Sequence, residues 1–225
     1  MMNIETGCKF APDLEELLAL LPGDNKDIYE DDAEELLETI ARQEAMKPVA
    51  AWKELKVTAV READLDLSGI ALACPCLAGR VKEGDSVYGA VVTAGAELHK
   101  LLADCDDIMQ EYILGFLMSE ILVRKTVDVV EALTEETGLS HVEMIMVGIP
   151  EVCGMDQQVQ IGKMLSPEFE AMNLSVKEGG SLTPVYSSTA LFLLSPENPN
   201  IPGVWGDSRE RKSFGEKLFK SAGHS

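Results

Sequence analysis

The chain has 225 residues, of which 46% are apolar and 26% charged, proportions of a globular protein that exclude disordered, collagen-like and disulfide-miniprotein classes. Its 19 Lys and Arg stand against 39 Asp and Glu, a formal net charge of -20. A field of that sign repels polyphosphates and anionic bilayers, so neither a nucleic acid nor a membrane surface is an expected partner.

The acid is concentrated at the start. Residues 1–46 hold thirteen Asp and Glu and three Lys and Arg, a net of -10, whereas 207–225 has three acidic and five basic residues, a net of +2. The opening MMNIETGCKF has no apolar core of a secretory signal, and no apolar run reaches the ~18 residues of a membrane span. With five cysteines and no signal, the expectation is a cytoplasmic protein with reduced thiols.

Two helices are predicted first. Pro12 and Asp13 open one with an apolar stripe at Leu14, Leu17, Leu18 and Leu21, and Pro22-Gly23-Asp24 stops it. The second is predicted from Tyr29 to Met46, with Ala33, Leu36, Leu37, Ile40 and Ala41 inward and Glu34, Glu35, Glu38 and Glu44 outward. These make 1–48 an acidic N-terminal helical segment packed on a main domain of 49–197, with 198–225 an irregular tail.

From Val49 the period changes. Lys53–Val60 and the apolar run Ile70–Leu77 read as strands, and Ser86–Thr93 (SVYGAVVT) as a strand buried on both faces. A short helix is predicted over Glu97–Ala103. The strongest element follows: Asp106 and Asp107 can cap a helix that runs to Thr137, where Gly138 stops it. At about 30 residues it is ~45 Å long. Ile113, Leu117 and Ile121, with Leu114, Met118 and Leu122 beside them, make its first half apolar almost all round; beyond Arg124 it becomes amphipathic through Val127, Val130 and Leu133.

His141–Val147 is a predicted strand and Asp156–Leu165 a predicted helix, joined by the loop Gly148–Gly154. Leu174–Val176 and Leu182 are short strand candidates, and Thr189–Leu194 is a buried strand. The order of elements fits one α+β domain better than a doubly wound sheet.

Few residues carry a chemical signature. Cys74-Pro75-Cys76 places two thiols on opposite faces of an extended segment, so they cannot chelate one metal without a bend, and no second pair supplies further ligands. Two small thiols in a core strand, or a thiol- or metal-based activity, both remain open at that point. His99, His141 and His224 have no ligand spacing, and no nucleophile elbow, P-loop or dinucleotide fingerprint is present. The Gly148–Gly154 loop, between a buried strand and a helix start, is the remaining candidate pocket wall.

Four segments, taken in order, resemble one family. They are Tyr88–Leu98 (YGAVVTAGAEL), the long helix from Ile108 with Gln110-Glu111-Tyr112, Gly148-Ile149-Pro150 followed by Asp156–Leu165 (DQQVQIGKML), and Leu182–Phe192 (LTPVYSSTALF). Together they are similar to the activation (reactivation) domain of cobalamin-dependent methionine synthase and its free-standing relatives, over roughly residues 10–197.

The resemblance implies an α+β fold with a twisted antiparallel sheet flanked by helices, one of them long and buried. It implies S-adenosylmethionine as candidate cofactor, and a role as an accessory of corrinoid-dependent methyl transfer: at most a component of a methyltransferase system, without catalytic residues or a metal site of its own. Cobalamin would enter only through a partner, a corrinoid protein or methyltransferase subunit. The implied ligand-binding residues are Gly148, Pro150, Cys153, Pro184, Tyr186, Ser187 and Phe192, with Gly148, Pro150 and Cys153 lining a cleft closed by Tyr186 and Phe192. The family's loop reads Arg-x-x-x-Gly-Tyr-Pro; here Met144 stands at the Arg position and Ile149 at the Tyr position. The alternative is a non-catalytic binding module on the same fold that has lost S-adenosylmethionine.

Overall fold

A computed structural model describes residues 3–7, 10–139, 141–148 and 152–195. In chain order they form β1 (Asn3–Thr6), α1 (Leu14–Leu20), α2 (Glu30–Arg42), β2 (Val49–Val60), β3 (Asp64–Leu67), β4 (Ile70–Ala73), α3 (Pro75–Ala78), β5 (Ser86–Thr93), α4 (Ala96–Ala103), α5 (Ile108–Thr137), β6 (His141–Met146), α6 (Gln158–Met164), α7 (Ser166–Ala171), β7 (Ser175–Val176), β8 (Leu182–Thr183) and β9 (Ser187–Ser195).

Seven strands make one antiparallel sheet in the order β4-β3-β2-β5-β9-β6, with β1 added to the first part of β2; β7 and β8 form a separate two-stranded ladder. The expected α+β architecture is therefore present. Alternation along β2 and β5 sends side chains to two interiors. Ala50, Trp52, Ala90 and Val92 pack against Val129, Val130 and Leu133 of α5. Ala51, Leu55, Val57, Val87 and Val91 pack against α3, α6 and α7. This double burial is what the unbroken apolar run of β5 demands.

Helix α5 has the ends expected of it. The Asp107 carboxylate accepts from the backbone N–H groups of Met109 (2.7 Å) and Gln110 (3.0 Å), and Gly138 closes the helix in the left-handed region at φ 68°. Ile113, Leu114, Leu117, Met118 and Ile121 are fully buried in a third cluster with Leu17, Leu36, Ile40 and Leu98 of α1, α2 and α4. One buried residue of α5 is charged. Lys125 Nζ lies 3.0 Å from Glu5 of β1 and 3.4 Å from Asp128, an ion pair that holds the N-terminal strand to the long helix.

Several expectations need correction. The predicted strand Ile70–Leu77 ends at Ala73, because Pro75 sits in the first turn of α3, where its fixed φ and missing N–H suit a helix start. The segment 1–48 is not helical throughout, since Asn3–Thr6 joins the sheet. The second helix stops at Arg42 rather than Met46, with Glu44 at φ 48° beyond it. Strand β3 and helix α7 were not foreseen. Among the described residues no helix is long and apolar enough to cross a membrane.

Candidate functional site

Antiparallel pairing brings three strand ends to one edge of the molecule. Thr93, the last residue of β5, pairs with Ser187, the first of β9. Strand β6 ends opposite Ala190, so Gly148, two residues past Met146, belongs to the same end of the sheet.

Thr93 is the hub there. Its hydroxyl donates to the Tyr186 carbonyl (3.3 Å) and accepts from the Ser187 hydroxyl (3.0 Å) and from the Gly95 N–H (3.4 Å), while the Ala94 N–H also donates to Tyr186 O (3.1 Å). Gly95 is required by the turn. Its φ is +100°, and a Cβ would overlap the Lys47 carbonyl.

The Tyr186 ring is set between α4 and α5. A Cβ on Gly115 would stand 2.8 Å from its hydroxyl, so the small residue in the long helix makes room for the ring. The ring centroid lies 6.2 Å from that of His99. His99 Nδ1 is 2.6 Å from the Gly95 carbonyl, which makes Nδ1 the donor; burial holds the imidazole below its usual pKa, opposed by that bond, and Nε2 is buried without a partner among the described residues. At working pH His99 is thus a neutral ring. The result is a set of hydroxyls, carbonyls and aromatic edges with no fixed charge, suited to orient a ligand rather than to transfer protons.

The predicted site residues divide. Pro184, Tyr186 and Ser187 precede or open β9 and stand with Thr93, and Gly148 lies at the same sheet end. The Gly148 N–H donates to the Cys153 carbonyl at 2.7 Å, closing the 148–153 loop; Pro150 and Ile149 lie outside the described residues.

Cys153 and Phe192 do not meet. Cys153 is buried in the cluster of α3, α6 and α7, whereas Phe192 is buried on the opposite face of the sheet with Trp52 and Val129. Strand alternation decides this, because Phe192 shares its face with Ala190 and not with Thr189 or Leu191. Met144 pairs with Phe192 across β6 and β9 and packs into the same apolar cluster, so no cation stands at that position.

Sequence reasoning passed over Thr93 except as part of the Tyr88–Leu98 segment, and gave no role to Gly115 or His99. The available signal for Thr93 was a hydroxyl ending an otherwise apolar run, just before Gly95. Among the described residues no group of three or more His, Cys, Asp or Glu is arranged to hold a metal ion.

No protein-family model matches the chain, and no curated protein matches it. Among solved structures it is similar to the MetH reactivation domain bound to AdoHcy, at 13% sequence identity and a TM-score of 0.57, with 100% of this chain and 86% of that chain covered. At this identity the likeness is one of fold: the chain is built like a MetH reactivation domain.

Proposed function

We propose that the chain binds an S-adenosyl ligand at the sheet end where β5, β6 and β9 meet, as an accessory of corrinoid-dependent methyl transfer. The carrying observation is the likeness over the whole chain to a domain whose structure holds AdoHcy. The hydroxyls of Thr93, Ser187 and Tyr186, with Gly148 and Pro184, are the residues proposed to contact the ligand, and the family resemblance adds Pro150; Cys153 and Phe192 would support it from the two interiors. S-adenosylmethionine carries a sulfonium and an ammonium, which carbonyl oxygens and an acidic protein favour. The methyl acceptor would be a corrinoid held by a separate protein. Glu34, Glu35 and Glu38 on the exposed side of α2 are the proposed docking face for that partner.

A second reading, a binding module that no longer takes S-adenosylmethionine, is favoured by one observation: apolar Met144 stands where the family's Arg holds the ligand carboxylate. Loss of one charge-assisted bond costs about 1.5–3 kcal/mol, roughly 10- to 100-fold in affinity. Calorimetric titration with S-adenosylmethionine and with AdoHcy separates the two. The first reading expects saturable binding that Tyr186→Ala abolishes, and binding of a purified corrinoid protein that weakens between about 0.05 and 0.5 M salt. No heat from either ligand overturns it and leaves the second.

A further inference from the structure

The fold also brings together a pair of reactive atoms, of which the ligand reading gives only Cys153 a supporting place. Cys74 follows β4 and Cys153 closes the loop after β6, and both side chains are fully buried in one cluster. Cys74 Sγ donates to the carbonyl of Val152, the residue before Cys153, at 3.3 Å. A hydrogen bond between the two thiols is the leading influence on the acidity of each. All four described cysteines are free thiols.

The two backbone segments are already fastened to one another. Gln157 Oε1 accepts from the Ala73 N–H at 2.8 Å, and the Gly148 N–H holds the Cys153 carbonyl at 2.7 Å. A disulfide needs its two Cα atoms within about 7 Å, and the Cys74 Sγ already touches the residue that precedes Cys153 within the same buried cluster. The half-buried Cys76, past Pro75, and Cys105, whose thiol donates to the Asp107 carbonyl at 3.3 Å, are not paired in this way.

We propose that Cys74 and Cys153 form a reversible oxidation site that closes to a disulfide with hydrogen peroxide or an equally small peroxide. The Cys74 thiol gives up its proton and the sulfur attacks one peroxide oxygen; the O–O bond breaks, and the departing hydroxide takes that proton to become water, leaving a sulfenic acid. The Cys153 sulfur then attacks that sulfur; the S–O bond breaks, and the second hydroxide takes the Cys153 proton to become water. The two thiols lose two electrons, the peroxide gains them, and a dithiol reductant reverses the step.

The roles are unequal for a physical reason. Cys74 accepts the Cys153 hydrogen bond and lies near the Leu77 N–H and Arg80, so its pKa falls to about 7. Cys153, the donor and equally desolvated, is pushed up. Cys74 is therefore the attacking sulfur and Cys153 the resolving one. Because both are buried, the reaction proceeds through local opening and admits only small oxidants. The bond would staple the β4–α3 corner to the 148–153 loop whatever molecule the neighbouring site holds.

The test is peroxide treatment of the full chain, alkylation under denaturing conditions, and intact-mass and peptide-mass analysis. The expected result is loss of two hydrogens, a linked Cys74–Cys153 peptide, alkylated Cys8, Cys76 and Cys105, reversal by dithiothreitol, and a melting temperature raised by several degrees. The rate should rise with pH through about 7. Cys76→Ser should leave the linkage unchanged, and Cys153→Ser should stop at a sulfenic acid on Cys74 that dimedone traps. A linkage through Cys76 or Cys105, or Cys74 still alkylatable after peroxide, overturns the proposal. If Cys153→Ser does not fold, the peptide map of the unsubstituted chain decides alone.

Discussion

The two faces of the central sheet are covered by opposite means. One carries α5, 30 residues capped by Asp107 and closed by Gly138, which meets the sheet through Val129, Val130 and Leu133. The other carries α3, α6 and α7, of four, seven and six residues, none with a side-chain N-cap. In place of one stripe, that face uses buried polar pairs among its aliphatic residues. The Gln158 amide and Thr189 hydroxyl exchange bonds of 2.6 and 2.9 Å, Lys53 reaches Glu168 at 3.4 Å, and Cys74 meets Cys153. A long helix can be fastened by repetition of apolar contacts. Short helices, whose ends leave backbone groups unpaired at every turn, are fastened by specific bonds.

Four substitutions, one of them made only in a double variant, would break or sharpen that contrast. Leu117→Ala, which opens a cavity between α5 and the N-terminal helices, should cost about 2–5 kcal/mol in urea denaturation. A cost below about 0.5 kcal/mol would mean that α5 is not held by its stripe. On the other face, Thr189→Val should cost about 1–3 kcal/mol by leaving the buried Gln158 amide unpaired. The double variant with Gln158→Leu should regain most of that, since an apolar pair of similar shape leaves nothing unsatisfied; equal losses in both would show that the pair acts by packing alone. Asp107→Ala should have the smallest effect, about 1 kcal/mol, because it removes one cap from a helix fixed elsewhere. Amide exchange confined to the first turn of α5 would report it.

The same contrast explains what could be read in advance. The span, cap and stop of α5 follow from a 3.6-residue period long enough to leave no doubt of its phase, and even the two-residue strands β7 and β8 fall at the candidates Leu174–Val176 and Leu182. The other face resisted. Ile70–Leu77 is apolar enough to read as strand throughout, and only the position of Pro75 marks the change to α3. Strand β3 (DLDL) has a period of two over just four residues. Of the candidate site, Tyr186, Ser187 and Gly148 share a sheet end, but their meeting with Thr93 depends on the register between β5 and β9, which no local pattern contains. For the same reason Phe192 was credited to a cleft: its face is set by a pairing partner distant in sequence. The Cys74–Cys153 contact is invisible to spacing rules altogether.

The sheet order also governs how the molecule can be completed. Strand β9, the last among the described residues, lies between β5 and β6, joining residues as far apart as Tyr88 and Phe192. Until it arrives, β5 and β6 each present an open edge of unpaired backbone groups. During synthesis every preceding element, α5 included, leaves the ribosome before Ser187–Ser195 does, so the nascent chain cannot shut its own sheet by pairing neighbours in turn. Closure waits for a nine-residue strand that inserts between β5 and the edge strand β6, and contacts of such separation are formed slowly. The interval before that insertion is when this protein is most exposed to edge-to-edge association with other chains.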